Sequence, residues 1–249
     1  MSTSVLAGED GRLPARAAAL ADFAAVVTSR PWSITPDLGA RLAAQGVSGA
    51  AFEAATGVVA MFNYLTRVAD ASGIEFDYAS PLPAFEPERA TEPAPRPGRD
   101  HWPVIAAELR TSPGFPSFPE LSRAWQDWRD YVFGSAEPLT GRERRLLAGA
   151  AARESCDGSR VDELSEYSPQ GDREALLVAF ARKLSSRPWQ MGPADLQGLR
   201  AAGFSEPALL HAISVVALQN AESRLVMGRA LATGAAAVEK PHTIEIANQ

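Results

Sequence analysis

In the stretch "AAFEAATGVVAMFNYLTRVADAS" (50–72), Phe52, Ala55, Val58, Val59, Phe62 and Leu65 recur at spacings of three and four. That period predicts a helix of more than five turns with these side chains forming one buried stripe. Alternating β-branched runs, the period-two pattern of strands, are nearly missing. Alanine fills stretches such as "ARAAALADFAAVV" and "LLAGAAAR", and alanine is the best helix former. The expected fold class is all-α.

The same pattern occurs twice. "SRPWSITPDLGARLAAQGVSG", continuing to Val68, aligns without gaps with "SRPWQMGPADLQGLRAAGFSE", continuing to Leu225, at a constant offset of 157 residues. Matched pairs include Pro31/Pro188, Trp32/Trp189, Pro36/Pro193, Gly46/Gly203, Ser48/Ser205, Asn63/Asn220 and Arg67/Arg224. In each copy a helix ends before the Arg-Pro-Trp turn and a short helix follows. It stops at Gly46 or Gly203, where glycine supplies the usual C′ residue, and Ser48 or Ser205 can cap the next helix. The paired asparagines and arginines share a helix face at i, i+4 and read as polar packing between the copies. The matched tryptophans read as core or interface anchors.

The organisation expected from this is a flexible N-terminus over 1–13, a truncated helical repeat over 14–78, a linker over 79–100, a full unit over 101–234 and a tail over 235–249. The linker "ASPLPAFEPERATEPAPRPGRD" holds six prolines and little apolar material. In the full unit, "HWPVIAAELR" and "FPELSRAWQDWRDYVFG" read as helices, the latter with an aromatic face. "LTGRERRLLAGAAARES" is a further helix, with Thr140 as its N-cap, and it delivers the chain to Cys156.

Composition changes this picture only by exclusion. Net charge is −6 and the pI is about 5.2, which argues against nucleic-acid or anionic-membrane partners, since both need a dense basic face. The single cysteine allows no internal disulfide. The N-terminal residues have no apolar h-region after a basic start, and no apolar stretch approaches the ~20 residues that span a bilayer. A cytoplasmic location is expected. No Cys–His or His–His spacing suits a metal, and no phosphate or dinucleotide fingerprint is present, so neither metal nor cofactor is expected.

Three stretches carry a family resemblance: "PLTGRERRLLAGAAARESCDGSRVDEL" (138–164), "GDREALLVAFARKLSSRPWQMGPADLQGLRAAGFSEPALLHAISVVALQNAESRLV" (171–226) and "GVVAMFNYLTRVADASGIEFD" (57–77). Together they resemble the alkylhydroperoxidase D-like / carboxymuconolactone decarboxylase family. The resemblance implies an AhpD-like helical bundle and antioxidant, hydroperoxide-reducing chemistry. In that chemistry a thiolate attacks the peroxide and becomes a sulfenic acid, a second thiol resolves it, and a His–Glu pair moves protons.

Carried over by position, the motif's first cysteine is Cys156, its second falls on Ser159 and its histidine on Glu163. Its glutamate falls on Arg145, with Glu143 the first acid of that stretch. Ser159 forms no disulfide, so turnover would need an external thiol reductant or a second chain. Cys156 reads either as a reactive thiol, if it begins a helix, or as a small structural residue. Glu163 and Arg145 read as an ion pair or as an altered acid–base site. His211 reads as a partly buried polar residue. The small-molecule partner implied is a hydroperoxide; the alternatives are a redox-inactive relative acting on a small organic acid, and a non-catalytic assembly partner. The resemblance further implies a homo-oligomer, a dimer or higher.

Overall fold

The computed structural model describes residues 13–74, 92–111, 114–134 and 136–235. The expected N-terminal segment, most of the Pro-rich linker and nearly all of the tail lie outside the described residues. Among these, ten α-helices form an all-α bundle: α1 (Ala15–Ser29), α2 (Pro36–Ala44), α3 (Gly49–Ser72), α4 (Ala107–Thr111), α5 (Pro119–Gly134), α6 (Gly141–Glu154), α7 (Gly158–Glu163), α8 (Gly171–Ser186), α9 (Pro193–Ala201) and α10 (Glu206–Ala232). The helix expected over "HWPVIAAELR" is confined to the single turn α4. No helix among the described residues is long and apolar enough to cross a membrane.

The repeat is written into the backbone. The ends of α1 and α8, both ends of α2 and α9, and the starts of α3 and α10 all fall 157 residues apart. The local chemistry recurs with them. Each copy puts proline at the start of its short helix, where the missing N–H costs nothing. Each ends that helix on a left-handed glycine, Gly46 at φ 72° and Gly203 at φ 86°. The following amide then reaches back five residues, Val47 N to Leu42 O at 3.0 Å and Phe204 N to Leu199 O at 3.2 Å. Val47 and Phe204 are both buried, so each turn is closed by a hydrophobic contact as well as by hydrogen bonds. Ser205 caps α10 through the Ala208 amide, whereas Ser48 makes no side-chain cap on α3.

Helix α10 is the axis of the bundle and is buried along most of its length. Around its N-terminal half, α5, α6, α8 and α9 enclose Leu177, Phe180, Leu184, Val215 and Leu218. Around its C-terminal end, α1 and α2 enclose Phe23, Val27, Leu38 and Leu42 with Met227 and Leu231. Burying each such side chain contributes about 1.5–3 kcal/mol.

Only half of the stripe expected on α3 is covered: Phe52, Ala55 and Val59 pack, partly buried, against the core around the C-terminal end of α10, and the fully buried face is a different one. That face is Thr56, Gly57, Ala60, Asn63, Arg67 and Ala71, turned toward α10. Val58, Phe62 and Leu65 are 57%, 61% and 48% exposed. Two long helices approach closely where small residues meet: a Cβ at Gly228 of α10 would lie 2.8 Å from Thr56 Cγ2. On α10 the same repeat positions are Val215, Gln219 and Glu222; Val215 is fully buried, Gln219 is met by Arg160 of α7 and Glu222 by Arg129 of α5. No described helix takes those places on α3.

Candidate functional site

The residues carried over from the family motif do not form one constellation. Glu143 closes the N-terminus of α6: Thr140 N donates to its Oε2 at 2.8 Å, Glu143 N donates to Thr140 Oγ1 at 3.2 Å, and Arg173 pairs with it. It is a buried cap. Arg145 lies over the Tyr167 ring, 5.2 Å from its centroid. Glu163 is exposed and pairs with Arg160, so the Glu163–Arg145 pair anticipated from the sequence does not form. Ser159 Oγ accepts from Ile105 N at 2.6 Å and donates to Ile105 O at 2.9 Å, stitching α7 to the segment before α4. His211 is buried, with Nε2 3.0 Å from Val132 O. Burial holds its pKa below the ordinary value.

Cys156 does not begin a helix. It precedes α7, whose N-cap is Asp157, and it adopts a left-handed φ of 54°. Its side chain is fully buried among Trp102, Ala152 and Val161, with Trp32 packed against the group. Burial pushes the thiol pKa up to about 12, with Arg96 opposing and Glu154 adding to the rise. At neutral pH it is a sealed, protonated thiol. An aromatic disulfide reagent is expected to react with folded protein at least ~10³-fold more slowly than with a free thiol, because both access and thiolate are missing. Absorbance at the released thiolate checks this, and denaturant should restore one fast equivalent. Stoichiometric labelling of the native protein within seconds would refute it.

Behind Trp32 the structure opens. A cavity of about 800 Å³ lies where the ends of α1 and α8 meet the middles of α3 and α10. Asn63, Arg67 and Arg224 line its floor, with Asn220 holding Arg224 from behind. Asn63 Nδ2 donates to Val59 O at 2.9 Å and to Thr28 Oγ1 at 3.0 Å; Asn220 Nδ2 donates to Val216 O at 2.9 Å and to Ser185 Oγ at 2.8 Å. Each asparagine orients its own arginine. Arg67 Nη1 donates to Asn63 O and Oδ1, both at 2.9 Å, and Arg224 Nη1 donates to Asn220 O and Oδ1, both at 3.0 Å. Each arginine then crosses to the other repeat: Arg67 Nη2 donates to Ser185 O at 3.2 Å, and Arg224 Nη2 to Thr28 O at 2.9 Å. The helix end that one repeat leaves open is closed by the other, a local two-fold pattern.

Both arginines are 4% exposed. Burial pushes the Arg67 pKa down to about 10, against the pull of Asp70. Burial, and then repulsion from Arg67, hold Arg224 well below its ordinary value. The rim is asymmetric. Arg182 and Lys183 of α8 stand where α1 has Ala25 and Val26. Arg182 and Arg96 share buried Glu154, at 3.1 and 2.6 Å, Lys183 pairs with Asp195 at 2.7 Å, and Arg187 pairs with Glu92 at 3.1 Å. One wall is the arm Glu-Pro-Ala-Pro-Arg-Pro-Gly over 92–98. Its alternating prolines fix the backbone and remove donors, so Glu92, Arg96 and a Trp102 Nε1–Pro97 O bond of 3.0 Å hold it in place. Trp32 and Trp189 face the cavity from their matched turns.

Sequence reasoning took the arginine pair for packing and missed Arg96, Glu154, Arg182, Lys183 and Arg187. The available signal was a charged residue recurring at the same repeat position on a helix face that had to be buried. Among the described residues no group of three His, Cys, Asp or Glu side chains is placed to hold a metal ion. No protein-family model matches the chain, and no curated protein sequence matches it.

Proposed function

We propose that the protein binds a small organic anion in the arginine-floored cavity, without thiol redox chemistry. One observation carries this reading: Arg67 and Arg224 are buried side by side and hydrogen-bond to neutral oxygens. A buried charge is costly unless it is paired, and like charges held together in a cleft mark sites that await a counter-charge. The cavity volume falls in the range of small-molecule pockets, about 300–1,000 Å³, and the tryptophans give it apolar flanks. Of the two chemistries implied by the family resemblance, the small organic acid fits these residues, whereas sealed Cys156 gives a hydroperoxide no thiolate to meet. The test is calorimetric titration with small carboxylates and phosphate esters, read against Arg224→Met. Wild-type binding that vanishes in the variant supports the reading; absence of binding in both sinks it.

Glu92 is an internal rival for the incoming anion, since its carboxylate occupies Arg187 at the rim. This exposed pair holds weakly. Glu92→Gln is therefore expected to tighten anion binding roughly two- to five-fold. Weaker binding in that variant would instead make Glu92 part of the receptor wall.

A further inference from the structure

The rim and the floor of the cavity differ in how their cations are paired, and that difference bears on how much charge a ligand carries. Every rim cation already has a carboxylate: Glu92 for Arg187, Asp195 for Lys183, and Glu154 between Arg96 and Arg182. The floor differs. Arg224 donates to Thr28 O, Asn220 O and Oδ1, and Ser155 Oγ, and the charge of Arg67 repels it. Arg67 donates to Asn63 O and Oδ1 and to Ser185 O. Its Nε–H is buried with no acceptor, and Asp70, exposed one turn on, offsets its charge only in part. On each guanidinium Nη1 is spent on its own helix and one Nη2 hydrogen on the other repeat, which leaves the second Nη2 hydrogen. The two arginines match in their Nη2 donors and differ at Nε, which on Arg224 donates to Thr28 O at 3.3 Å and on Arg67 is without an acceptor.

Resting on the organic-anion reading, we infer that the ligand is a small dianion, its two negative charges set against Arg67 and Arg224. A phosphate monoester places both charges on one group; a dicarboxylate places them on two. Both satisfy the floor, and the shared chemistry is the double charge. A monoanion leaves one buried guanidinium without a counter-charge.

The experiment is calorimetry on the full chain at about pH 8, where a phosphate monoester is doubly charged, with two matched series. One is phenyl phosphate, isophthalate, benzoate and benzamide; the other is methyl phosphate, succinate, acetate and acetamide. At least one dianion in a series should bind about ten- to hundred-fold tighter than its monoanion, the effect of one further hydrogen bond between charged groups. Whether the phosphate or the dicarboxylate leads tells one doubly charged group from two single ones. If monoanions bind within two-fold of both dianions, the inference falls and the anion reading stands. If no anion in either series binds, both fall. Arg67→Gln, with folding checked by circular dichroism, should bring the dianion-to-monoanion ratio close to one while benzoate or acetate still binds. Should that variant not fold, Arg67→Lys keeps the charge and must keep the preference; loss of preference there overturns the inference.

Discussion

Replacing Arg224 with methionine is expected to weaken anion binding at least ~100-fold while the fold survives. The loss is large because Arg224 supplies both a charge and an oriented donor in a site sheltered from water, where each acts strongly. Stability moves little because two effects oppose. The variant removes a buried cation that lies beside Arg67, which relieves repulsion and desolvation. It also leaves Thr28 O without its side-chain donor and Asn220 Oδ1 with only the Ser155 hydroxyl, at about 1–3 kcal/mol for an unsatisfied group. The unliganded melting temperature should therefore shift by only a few degrees. The liganded protein should lose its whole ligand-dependent rise, which for wild type at a hundred times Kd is about 2.7 kcal/mol. Titration calorimetry and a melting series with and without ligand read the two quantities separately. Binding within three-fold of wild type would mean that the buried arginines serve only to join the repeats.

The joining role was legible in the sequence and the cavity was not, for a physical reason. Proline at the helix start, glycine at C′ and the Arg-Pro-Trp turn act through local backbone chemistry, so their recurrence placed the repeated helix boundaries. Periodicity on α3 was less informative. A spacing of three and four says that a helix has two faces, but not which face finds a neighbour. Val58, Phe62 and Leu65 look outward because α3 lacks what α5 and α7 give α10, and Asn63 and Arg67 look inward because their partners are Thr28 and Ser185. The cysteine motif could be placed between two helices, yet its burial depends on Trp102 and Trp32, which are remote in sequence. The cavity is assembled from both repeats, the 92–98 arm and the end of α6. No local pattern brings Glu92 to Arg187 or Arg96 to Glu154.

The repeat also makes a sharp prediction about stability. Gly39 in α2 corresponds to Leu196 in α9, and restoring the symmetry by Gly39→Leu is expected to undock α2. A Cβ at Gly39 would lie 2.0 Å from Ala232 O and 2.9 Å from Ala232 C, both backbone atoms at the end of α10 that cannot turn aside as a flexible side chain would. Leu196, by contrast, is partly buried against the core of its own repeat. Even Gly39→Ala sets two effects against each other. Alanine favours a helix interior by about 1 kcal/mol over glycine, whereas forcing a methyl into this contact costs about 1–3 kcal/mol or more. An overlap this deep into backbone puts the cost at the upper end, so the net is a loss of about 2 kcal/mol, with leucine losing more. Against a total of about 5–15 kcal/mol for a domain, the leucine variant stands at the edge of folding. Because α2 follows directly on the turn that carries Trp32, its displacement should also loosen the cavity wall and weaken anion binding in whatever protein remains folded. Urea unfolding of the two variants measures the first effect and titration the second. A Gly39→Ala protein as stable as wild type would show that α2 and the end of α10 are not in backbone contact.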